Sequence, residues 1–160
     1  MTKKIFLFLI LFLTLFSSQS FGELSFVQTK DVTSDTPGVR GINFKPDGKI
    51  MYITSRLGNE NAFVVQYSLS TPFDISTATR SFSDGNGTQL TCSTNMKLPH
   101  AIEFKPDGTK MFVATNKDFS GNPGVAIFQF NLTTAWDSST LVCEKIYEVK
   151  EIGVYVENQL

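Results

Sequence analysis

The sequence predicts an all-β fold of antiparallel four-stranded sheets, and three observations carry that expectation. A block of about 60 residues occurs twice along the chain. Each copy places a Pro-Asp-Gly turn between two short apolar runs, which is a hairpin signal. The second run of each copy is apolar at consecutive positions, so both of its faces need cover.

Taking the elements in order, residues 1–22 read as a secretory signal peptide. Lys3 and Lys4 precede an apolar run from Ile5 to Phe16, and the stretch SSQS follows with Gly22 close behind. The run is too short to span a bilayer comfortably, and no later stretch is apolar enough to do so, so the processed chain is expected without a membrane span. The expected location is secreted or periplasmic. Residues 23–39 are expected to form an outer strand and a link.

The first copy then reads RGINFKPDGKIMYIT from Arg40 to Thr54, and the second HAIEFKPDGTKMFVA from His100 to Ala114, offset by 60. Further on, VVQYSLSTPFDIST (Val64 to Thr77) matches IFQFNLTTAWDSST (Ile127 to Thr140) at an offset of 63. The difference of three falls in the intervening loops, where length variation is tolerated. In each FKPDG block, Pro presets φ and Gly supplies a positive φ. Strand one spans 40–45 and strand two 50–55. The third strand alternates, with Phe63, Val65, Tyr67 and Leu69 on one face and Ala126, Phe128, Phe130 and Leu132 as their counterparts. At its end Asp74 and Asp137 turn the chain through nearby amides, and Phe73 or Trp136 is expected to tuck against a neighbouring sheet. A fourth, outer strand follows each.

Sheets of about four strands covered on both faces and repeated at this period suit radial stacking, as in a β-propeller. The blocks FKPDGTKMFVAT and VVQYSLSTPFDIST resemble the blade repeat of secreted bacterial propellers of the YVTN and WD type. On this reading blade one covers 40–98, blade two 99–150, and residues 151–160 begin a further strand or tail. Two blades cannot close a ring of the usual four to eight. The expectation is therefore an incomplete propeller that is continued by further blades or associates with itself through exposed Phe-rich faces.

Composition narrows the function. With 14 basic against 15 acidic residues the chain lacks the basic excess that nucleic-acid binding requires. Arg40 and His100 hold the same position in the two copies, at the entry to the innermost strand, and should flank the axial opening. The loops after strand two add Arg56, Asn59, Glu60 and Asn61 in one copy and Asn116, Lys117, Asp118 and Asn122 in the other. These are the candidate ligand-binding residues, with solvated edge positions as the alternative. His100 is the only histidine, so a multi-histidine metal site within one chain is excluded.

Catalytic signals are poor. No nucleophile elbow, phosphate loop or HExxH pattern occurs, and no cofactor is expected. Lactonase-like propellers hold a metal with several axial carboxylates and amides. Here Glu103 and its counterpart Asn43 are the inner-strand polar residues available, and both could equally be satisfied between blades. The segment Asp84 to Thr88 resembles a calcium loop but lacks the downstream Glu, and a link is the better reading. Cys92 and Cys143 are a disulfide candidate for an oxidising compartment. Placed on outer strands of successive blades, they would diverge, which argues against pairing. The function expected is an exported, non-enzymatic binding or scaffold module with a protein or carbohydrate ligand. The alternative is part of a lactonase-like propeller hydrolase.

Overall fold

The computed structural model describes residues 27–36, 38–57, 61–82, 87–92, 96–117 and 123–149. The expected signal peptide, the tail 151–160, the calcium-like segment up to Asn86, and the loop residues Asn59, Glu60, Asp118 and Asn122 lie outside them.

The fold is all-β, with two antiparallel sheets each built on a four-strand path. The first runs β1 (Val39–Phe44), β2 (Ile50–Leu57), β3 (Asn61–Leu69) and β4 (Ala78–Arg80). A two-residue β5 (Thr88–Gln89) also pairs with β3. The second runs β6 (Pro99–Phe104), β7 (Lys110–Lys117), β8 (Pro123–Leu132) and β9 (Leu141–Val149). No closed ring forms among the described residues.

Local chemistry explains the hairpins. In the first, the Gly48 N–H donates to the Lys45 carbonyl at 2.8 Å, and Gly48 adopts φ +70. Asp47 accepts from the Lys49 N–H at 3.0 Å. The twin repeats this with Gly108 on Lys105 at 2.8 Å, φ +73, and Asp107 accepting from Thr109 at 3.0 Å. A left-handed glycine after a proline-led turn matches the twist of the two flanking strands.

The corners after the third strands are equally alike. Asp74 accepts from the Ser76 N–H at 3.0 Å and Asp137 from the Ser139 N–H at 2.9 Å, each starting a short 3-10 turn, Ile75–Thr77 or Ser138–Thr140. Of the preceding aromatics, Trp136 borders the apolar cluster shared with the neighbouring sheet, as expected, whereas Phe73 is exposed. Phe73 and Trp136 take φ of 59 and 65, and their N–H groups donate to Gly48 and Gly108 of the same sheet. This conformation folds each ring back over its own hairpin glycine, where it meets Phe44 at 5.7 Å or Phe104 at 5.4 Å.

The two sheets face each other across one apolar cluster, with Tyr52, Val64, Leu90 and Met96 from the first side against Ile102, Phe104, Phe128 and Phe130 from the second. A smaller cluster of Met51, Ile53, Val65, Tyr67 and Leu69 lies on the outer face of the first sheet. The consecutive apolar residues of β2 are thus all buried: Met51, Tyr52 and Ile53. In β7, Met111 and Val113 are buried while Phe112 is half-buried.

The outer strand expected within residues 23–39 is replaced, over its described part, by an irregular segment. Residues 27–36 hold no strand; they lie across the outer face instead of pairing at the edge. Their polar groups explain the choice. Tyr67 donates its hydroxyl to Asp35 at 3.2 Å, the Ile75 N–H donates to the Gln28 side chain at 3.0 Å, and Val32 packs into the outer cluster.

Candidate functional site

The inner strands β1 and β6 run side by side, and this contact sets the geometry of the candidate end. A Cβ on Gly41 would meet the His100 carbonyl at 2.7 Å and the Thr54 hydroxyl at 2.9 Å, so only glycine permits the approach. Further along, the Asn43 amide donates to the Ile102 carbonyl at 3.2 Å and to the Glu103 carboxylate at 2.9 Å. Glu103 therefore serves as an acceptor between the sheets.

The pairing registers reveal something that repeat alignment alone does not. In β1 the register shifts between Val39 and Gly41, and in β6 between Pro99 and Ala101. Arg40 and His100 are thus the extra residues of two equivalent β-bulges. A bulge leaves one residue outside the ladder and re-aims its side chain. Both residues are exposed. Arg56 is half-buried near the same end, where its N–H donates to the Gly38 carbonyl at 3.2 Å. Asn116 and Lys117 close β7, with Lys117 paired to Pro123. Behind the first bulge, the hydroxyls of Thr54 and Ser55 are buried without a hydrogen-bond partner among the described residues.

Sequence reasoning missed the polar contacts that join the sheets. Gln66 of β3 accepts from both the Ser138 N–H at 2.9 Å and the Ser138 hydroxyl at 3.0 Å. Tyr52 donates to the Trp136 carbonyl at 2.6 Å. Burial, with smaller contributions from Asp137 and Asp47, pushes the Tyr52 phenol well above its usual range and keeps it a donor. The signal that could have found Gln66 was present: Gln recurs at 66 and 129, an isolated polar side chain inside otherwise apolar stretches.

Cys92 and Cys143 form a disulfide with Cα atoms 5.2 Å apart. The expected divergence fails because Cys92 does not sit on an outer strand. It follows β5, on the segment that carries the chain toward β6, and both sulfurs border the cluster between the sheets. Among the described residues, no group of three or more His, Cys, Asp or Glu lies close enough to hold a metal ion, and no helix is long and apolar enough to cross a membrane.

No family model, curated protein or solved structure matches this chain.

Proposed function

We propose that the chain is a pair of blades from an exported β-propeller of the YVTN or WD-like type, and that it works as a non-enzymatic binding or scaffold module. The observation that carries the reading is the placement of Arg40 and His100 on equivalent bulges of adjacent inner strands, both exposed. A guanidinium and an imidazole offered from bulges at the same end of adjacent strands suit an anionic group on the ligand, and an acidic glycan is the carbohydrate form of that chemistry. The disulfide supports a secreted or periplasmic setting, where such bonds persist. The hydrolase alternative would need Glu103 as an axial ligand, and that carboxylate is engaged by Asn43.

Titration of the folded chain with uronic-acid and neutral oligosaccharides tests the proposal. Selective retention of the acidic ones is expected, weakened at least about tenfold in Arg40→Ala/His100→Ala with an unchanged unfolding midpoint. Binding indifferent to that double change, or lactone turnover in the presence of a divalent metal, would overturn it.

A further inference from the structure

Gln66 is not alone in receiving a corner. The Ile75 N–H stands 63 residues before the Ser138 N–H, at the same place after the corner aspartate, and it donates to Gln28 just as Ser138 donates to Gln66. Residues 27–36 thus supply to the first sheet the same carboxamide that the first sheet supplies to the second. They also bring Val32 into the apolar cluster there. This segment occupies the seat that a preceding sheet would fill.

At the other end the same receptor recurs with no corner seated on it. Gln129 is the counterpart of Gln66, and Phe112 that of Tyr52, on the far face of the second sheet. The Gln129 amide donates to Glu144, which is itself paired with Lys110. That bond commits the nitrogen side of the carboxamide, and its oxygen accepts no hydrogen bond among the described residues. Around it Ile127 is 37% exposed and Tyr147 50%. In the first sheet Val64, the counterpart of Ile127, and Tyr52, the counterpart of the half-buried Phe112, are fully covered.

We propose that this far face, built on Phe112 and Gln129, docks onto the outer face of the first sheet in a second copy of the chain, and that residues 27–36 are an intrachain plug competing for that seat. The interface within the chain supplies the template: Phe112 meets Phe44 as Tyr52 meets Phe104, at 4.3 Å, and Gln129 receives the Ile75 N–H as Gln66 receives Ser138. Two features are not reproduced. Glu103 replaces Asn43, and a carboxylate cannot donate to a carbonyl. Ala101 stands where Gly41 lets the inner strands approach, and its Cβ holds the strands of two copies further apart, so the contact between copies is weaker than the one within the chain. It is heterologous, head to tail, and can continue from copy to copy. The proposal rests on the repeat reading of the two sheets and is independent of the ligand reading.

Sedimentation of the folded chain across a concentration series tests it. Loosening the plug with Gln28→Ala/Val32→Asp is expected to tighten self-association at least about tenfold, and adding Phe112→Glu/Gln129→Ala should return the variant to monomer. A plug variant that stays monomeric, or one whose association ignores Phe112 and Gln129, overturns the proposal. Should the plug variant unfold, a photoreactive side chain at position 112 of the otherwise intact chain decides. Cross-links to the Phe44 and Phe73 region of another copy support head-to-tail docking; links between two positions 112, or none, refute it. Glycan retention measured on Phe112→Glu should be unchanged, so the two readings fail separately.

Discussion

Gly48 and Gly108 perform the same backbone task under different roofs. Each has a positive φ, and an added Cβ would come within 2.4 Å of the Phe73 ring or 2.3 Å of the Trp136 indole. Phe73 is 58% exposed and can swing into solvent. Trp136 is held by its contact with Phe104 and by the bond from Tyr52 to its carbonyl. Gly108→Ala is therefore expected to destabilise the chain by about 3 kcal/mol and Gly48→Ala by about half as much, combining left-handed strain with the clash. Urea unfolding midpoints check this, and equal losses would show that the roof does not matter. A second residue-level expectation concerns Tyr67, whose phenol is pushed up to about 12 by burial and then by Asp35. A folded-state value above the ordinary value of about 10 means that its contribution is complete below about pH 10 and is lost as pH rises through about 12. Tyr52 is shifted in the same direction. Stability should fall across that window, and Tyr67→Phe should reduce the slope by about half, as read from thermal unfolding alongside tyrosinate absorbance.

At the level of elements, the disulfide ties the segment after β5 to β9 across a sequence separation of 51. Closing a loop of that size in the unfolded chain corresponds to about 4 kcal/mol of stabilisation in the chain-entropy account. Cys92→Ser/Cys143→Ser should lower the unfolding free energy by up to that amount, with the sheets retaining their far-ultraviolet signature; an unchanged midpoint would mean that the bond constrains nothing the fold does not already hold. The same elements show what was legible beforehand. The FKPDG hairpins and the Asp74 and Asp137 corners could be read because their chemistry is local, a proline, a glycine and a carboxylate acting within a few residues. The placement of residues 87–92 and of Met96 could not, since Leu90 and Met96 are drawn into the cluster between the sheets by partners far away in sequence. The placement of Leu90 and Cys92 against that cluster is what brings Cys92 to Cys143. In the candidate site, the equivalence of Arg40 and His100 was visible from the repeat. Their bulges were not, because a bulge is a property of how two strands pair. Gln28 escaped notice because its segment belongs to no repeat block, although it fills the place of one.

For the molecule as a whole, the two sheets share a pattern yet have different surroundings. The first is covered on one side by residues 27–36 and on the other by the second sheet. The second is covered on one side only among the described residues, which is why Ile127 is partly exposed where Val64 is buried. Repetition of sequence without equality of environment is what makes the far face a docking surface and leaves the plug as its competitor. The disulfide has one more consequence, and it is mechanical. A pull transmitted along the backbone enters at Cys92 and leaves at Cys143 through the sulfur bridge, bypassing β6, β7 and β8 entirely. About 170 Å of extensible chain is thereby withheld from the load. Under tension the first sheet can be drawn out while most of the second stays folded, and reduction of one bond would release that hidden length in a single step.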